Sequence, residues 1–113
     1  MSIKFIVEGS PVGKERPRKG RGQHFYTPEK TRRFESSVAM AFLKVARRRL
    51  DPPAISVHVR CFFKNRAHPD PDNVLKAVLD ALTGMAYPHD RYVGSSVTCE
   101  YDATRPRIDV EVS

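Results

Sequence analysis

The sequence predicts a single α/β (α+β) domain over residues 1–113, a mixed β-sheet of about four to five strands with two main helices packed on it. Three observations predict it. Several short stretches place apolar residues at every second position, the spacing of a half-buried strand. Two longer stretches place them three and four apart, the spacing of a helix with one buried face. The two kinds of stretch are interspersed along a chain of 113 residues, a length suited to one core.

Ile3, Phe5 and Val7 share one parity and form a first strand. Residues 9–22 follow with four glycines, two prolines and five basic side chains, a composition that predicts a loop. Gln23 to Tyr26 adds a short strand, its Phe25 and Tyr26 either core or a platform for unpaired bases. Thr27-Pro28-Glu29 reads as a helix start, with a capping hydroxyl, a proline at the first position and an acid in the first turn. Phe34, Val38, Ala41, Phe42 and Val45 then mark the buried face of a helix to about Leu50, stopped by Asp51-Pro52-Pro53. Ile55 to Phe63 alternates cleanly and is the clearest strand. A second helix spans about Asp72 to Thr83, with Gly84 just past its end. Val97, Cys99 and Tyr101, then Ile108, Val110 and Val112, mark two closing strands. Cys61 and Cys99 fall on apolar parities, which predicts two buried free thiols.

The charge narrows the function. Residues 1–50 hold 13 Lys/Arg against four Asp/Glu, whereas residues 51–113 hold seven against nine. The basic excess lies in one half, and a basic half favours a polyanionic partner, nucleic acid above all. No stretch is apolar for about 18 residues, which argues against a membrane span. The first residues lack the apolar run and small-residue cleavage site of a secretion signal, so a cytoplasmic location is expected.

His68-Pro69-Asp70-Pro71-Asp72-Asn73-Val74-Leu75-Lys76 carries the chemistry. Pro71 drives Asp70 into an extended conformation, so Asp70 and Asp72 can face one point at the start of a helix. Lys76 lies one helical turn on. Two adjacent carboxylates suit a hard cation such as magnesium, with an ammonium beside a phosphate. The same residues also make an ordinary helix start, with Asp72 as N-cap and Lys76 paired to Asp72 or Asp80.

The run Asp70-Pro-Asp72-Asn73-Val-Leu-Lys76-Ala77-Val-Leu-Asp80-Ala81-Leu82-Thr83-Gly84, followed by Tyr87 and Asp90, resembles the signature of the RusA family of Holliday-junction resolvases. Gly9-Ser-Pro11-Val-Gly-Lys14-Glu-Arg16-Pro17-Arg18, then Tyr26-Thr27-Pro28 and Lys30-Thr31, is similar to the opening of phage-borne members. The resemblance implies a homodimeric, magnesium-dependent endonuclease (manganese being an alternative ion) that cuts four-way DNA junctions without an organic cofactor. It implies a phage or prophage gene acting in a bacterial host. By position it makes Asp70, Asp72 and Asp90 the metal-site acids, supported by Lys76. The acidic turn departs from the family pattern, because His89 stands where a first acid often precedes the second. Lys14, Arg16, Arg18, Lys19 and Arg21, with Arg32 and Arg33, are the expected phosphate contacts. The alternatives are a branched-DNA-binding protein without catalysis and a basic RNA-binding module.

Overall fold

The computed structural model describes residues 2–15 and 28–113, and the backbone alone of residues 18–19 and 25–26. A four-stranded sheet carries β1 (Ile3–Glu8), β4 (Ser56–Phe63), β5 (Gly94–Tyr101) and β6 (Arg107–Val112) in the order β1-β6-β4-β5. Antiparallel pairs join β1 to β6 and β6 to β4, while β4 and β5 run parallel. Two helices, α1 (Glu29–Ala46) and α2 (Pro71–Leu82), lie on one face. A separate antiparallel pair, β2 (Arg18–Lys19) with β3 (Phe25–Tyr26), puts a two-residue strand inside the expected loop. This is the mixed sheet with two helices that the alternation predicts.

The register sets the core. Val57, Val59, Cys61 and Phe63 of β4 point to the helices beside Ile108, Val110 and Val112 of β6, and all are buried. Phe34, Val38 and Phe42 of α1 and Val74, Ala77, Val78 and Leu82 of α2 cover them. On the opposite face the Arg107 guanidinium lies 3.8 Å from the Phe62 ring centre, shielding the one phenylalanine that β4 turns that way.

Three expectations change. The first helix starts at Glu29 with Pro28 in the cap position, and Thr27 lies outside the described residues. It ends at Ala46, four residues before Leu50, because Arg47 adopts a left-handed conformation (φ 66°) and its N–H returns to the Leu43 carbonyl. Cys61 is buried and its thiol is pushed up to about 12 by burial and by the neighbouring Cys99, but Cys99 itself is exposed. Its strand β5 is at the sheet edge, where the helical layer reaches only part of the inward-facing side.

Candidate active site

The segment after β4 turns at Pro69 and opens α2. Asp70 is the N-cap, with φ −60° and ψ 127°, and its Oδ1 accepts a hydrogen bond from the Asp72 N–H at 2.8 Å. The Asp70 carbonyl accepts from the N–H groups of Asn73 and Val74 at 3.0 and 3.2 Å. Pro71 takes the first helical position, where a missing N–H costs nothing. The capping residue is therefore Asp70, two positions before the Asp72 expected from sequence, since the extended backbone before a proline is what a cap requires. Both carboxylates are exposed at the positive end of a helix dipole, which favours negative charge there. Lys76 is exposed one turn along and holds no ion pair among the described residues; the Asp72 and Asp80 partners envisaged for it are absent.

The loop after β1 buttresses this junction. Gly13 packs so closely that a Cβ there would lie 3.0 Å from Pro69 Cβ and 3.2 Å from Asn73 Cβ. The Lys14 N–H donates to the Asn73 carbonyl at 2.8 Å, and the Thr31 hydroxyl of α1 donates to the Gly13 carbonyl at 3.4 Å. The Lys14 ammonium bridges Glu35 of α1 at 2.8 Å and Asp80 of α2 at 3.2 Å. Lys14 is one of the expected phosphate contacts, and in the folded chain two acids hold its charge in a part-buried site between the helices. Burial pulls its pKa down, but the hydrogen bonds and charges of Glu35 and Asp80 outweigh burial and leave it raised.

His68 was not among the expected site residues, yet it anchors the other side of the turn. Its ring stacks on Phe63 at 3.8 Å, Nδ1 lies 2.7 Å from the Pro69 carbonyl and Nε2 lies 2.8 Å from the Tyr101 hydroxyl. A carbonyl only accepts, so Nδ1–H is the donor, and in the neutral ring Nε2 accepts from Tyr101. A histidine two residues before Asp70, with an aromatic closing a parallel neighbouring strand, is a signal that appears only once strand pairing is known.

Asp90 is elsewhere. It opens a 3₁₀ turn, Asp90–Tyr92, that leads into β5, with His89 Nδ1 3.2 Å from its Oδ1. Because β4 and β5 are parallel, the start of α2 lies at their C-terminal end and the start of β5 at the other. The twelve residues of α2 span about 18 Å between these ends. Tyr87, whose hydroxyl donates to the Leu79 carbonyl late in α2 at 2.6 Å, has its pKa raised first by burial and then by the charges of Asp90 and Asp80. Asp90 thus belongs to the far end of α2. Among the described residues no three acidic, histidine or cysteine side chains converge as a metal cluster. One chain brings Asp70 and Asp72 together and leaves Asp90 apart.

Of the expected DNA contacts, Arg16 and Arg21 and the side chains of Arg18 and Lys19 lie outside the described residues. Arg32 is exposed near the start of α1, and Arg33 is exposed but paired to Glu29 at 2.7 Å. Lys30 lines the same cleft as Asp70 and Asn73.

Fold and site together define a small basic α+β domain that presents paired carboxylates at an exposed helix start. The family described as endodeoxyribonuclease RusA matches residues 8–113, nearly the whole chain, and the chain belongs to that family. It is also 25% identical over 134 aligned positions to the uncharacterized protein YqaN of Bacillus subtilis (strain 168), covering 97% of this chain and 94% of that protein. Among the described residues no helix is long and apolar enough to cross a membrane.

Proposed function

We propose that this protein resolves four-way DNA junctions as a homodimeric, magnesium-dependent endodeoxyribonuclease of phage or prophage origin, manganese being an alternative ion. The observation that carries the reading is the pair Asp70 and Asp72, exposed at a helix start in a chain of an endodeoxyribonuclease family. Magnesium commonly takes one or two protein carboxylates plus phosphate oxygens, and this pair fits that demand. When bound, the ion supplies polarisation of the scissile phosphate and acidification of the attacking water.

The chain's own residues do the rest. The helix start fixes Asp70 and Asp72, Lys76 offers an ammonium to charge gathering on the phosphate, and Arg32 and Arg33 with the basic loop position the backbone. Asp90 joins the site from a second copy: a two-fold axis that sets the far end of one α2 beside the near end of the other completes the acid set. Two such sites match two symmetric cuts in a symmetric junction.

The test is cleavage of a labelled four-way junction with magnesium by wild type, Asp70→Asn and Asp72→Asn, with binding measured in parallel. Paired cuts near the crossover, lost in both variants while binding persists, are expected. Junction binding without cutting at any magnesium or manganese concentration would leave a branched-DNA-binding protein. A preference for RNA, with the Asp variants altering stability alone, would leave an RNA-binding module.

A further inference from the structure

Among the described residues several arginines are neutralised where they stand, and three exposed ones without an ion pair, Arg32, Arg66 and Arg91, lie far from one another along the chain. Arg33 holds Glu29 at 2.7 Å, Arg60 holds Glu100 at 3.0 Å, Arg107 holds Asp102 at 3.1 Å, and Arg105 holds Glu8. The C-terminal end of α1 differs. Lys44, Arg47, Arg48 and Arg49 are all exposed, fall within six residues, and hold no ion pair among the described residues; Asp51 is the nearest acid along the chain and pairs with none of them. The left-handed turn at Arg47 ends the helix in the middle of this run. One cation at a helix end is explained by the dipole, which falls off within the last turn. Four are not.

The position of the cluster is informative. Arg49 and Leu50 line a cleft of about 300 Å³ with Gly84, Tyr87 and Pro88, and the Leu50 N–H donates to the Met85 carbonyl at 2.8 Å. The cluster therefore stands beside the turn that carries Asp90. The opposite end of α1, with Lys30, Arg32 and Arg33, stands beside Asp70. The eighteen residues of α1 separate the two basic ends by about 27 Å. That is about eight base pairs of duplex, at 3.4 Å each.

We propose that Lys44, Arg47, Arg48 and Arg49 form a phosphate-contact surface for a duplex DNA arm, next to the Asp90 turn and distinct from the basic loop. The proposal rests on the DNA reading above but not on catalysis. Contacts of this kind grip the backbone through charge and are indifferent to base sequence. They release counterions, so each occupied contact steepens the salt dependence of binding by about 0.9 in log K against log salt.

The experiment measures that slope on the full chain, with a junction and with a linear duplex, between about 50 and 200 mM salt. Arg47→Asn/Arg48→Gln/Arg49→Gln removes three charges, with asparagine chosen because it tolerates the left-handed backbone. A control, Lys4→Gln/Arg60→Gln/Arg105→Gln, removes the same number from ion-paired positions. The cluster variant is expected to flatten the slope by about two to three on both DNAs. Arg47→Lys/Arg48→Lys/Arg49→Lys is expected to keep it, and the control to change it little. Melting curves of each variant confirm that the fold persists. Wild-type slopes in the cluster variant, or an equal loss in the control, would overturn the surface while leaving the DNA reading intact. A wild type that binds neither DNA, or that prefers duplex RNA, would overturn both.

Discussion

Lys14 shows how one side chain can tie distant parts of the chain together. Its ammonium satisfies Glu35 and Asp80 together, and its backbone N–H holds Asn73 beside the paired carboxylates. Lys14→Met leaves two part-buried acids facing each other with no cation between them. It is expected to cost about 1–2 kcal/mol, less than a fully buried pair because all three groups keep some solvent contact. Urea unfolding at neutral pH measures that difference. The pKa of Lys14 is raised in the folded state, so its contribution is fully present below about pH 10.5, the ordinary lysine value, and is lost as the pH rises through the folded value. The stability gap between wild type and Lys14→Met should therefore be constant through neutral pH and narrow only at strongly alkaline pH. A gap that closes below pH 9 would contradict the bridge.

At the scale of elements, the start of α2 is held on two sides. The β1–α1 loop presses Gly13 against Pro69 and Asn73, while the end of β4 presents Phe63 to the His68 ring. Gly13→Ala places a methyl group at distances that demand a shift of several tenths of an ångström in the turn. The expected cost is about 1–3 kcal/mol from overpacking. Because the displaced atoms belong to the residues flanking Asp70 and Asp72, cleavage should fall by more than the melting temperature alone explains. Cleavage rates measured well below the transition, set beside calorimetric melting, separate the two effects; equal activity at a lower melting temperature would show the turn tolerates the shift. Asp70 caps α2 and is also an acid of the proposed metal site, and the asparagine variant is informative because its side-chain oxygen can still cap α2.

At the scale of the molecule, the parallel pairing of β4 and β5 sends Asp70 and Asp90 to opposite ends of α2. If a site combines Asp72 of one subunit with Asp90 of the partner subunit, two inactive variants complement each other. A mixed dimer of Asp72→Asn and Asp90→Asn subunits holds one site with both lesions and one with neither. Mixing the two inactive proteins after subunit exchange is expected to restore nicking of one strand, without paired cuts. Complete inactivity of the verified mixed dimer would mean that each site draws its acids from one chain.

Much of this was legible in the sequence, because hydrophobic period depends on local spacing alone. The β4 alternation, the α2 face with its closing glycine, and the Asp-Pro-Asp start of α2 are short-range patterns. The proline rule gave Asp70 its extended conformation, as observed, and that conformation implied the cap at Asp70, although Asp72 was the residue expected there. What sequence could not supply was anything set by partners far along the chain. Lys14 lies in a glycine-rich basic run and reads as a free cation, until the packing of α1 on α2 brings Glu35 and Asp80 to it. Cys99 shares the apolar parity of its strand just as Cys61 does, and only strand order makes one strand central and the other an edge. The sequence by itself determined which residues are acids and cations and much of the core, though not Cys99 or Val45, since composition and period are properties of the chain. The tertiary structure alone decided which of them meet, because strand direction and helix packing fix distances between residues that the chain keeps many positions apart.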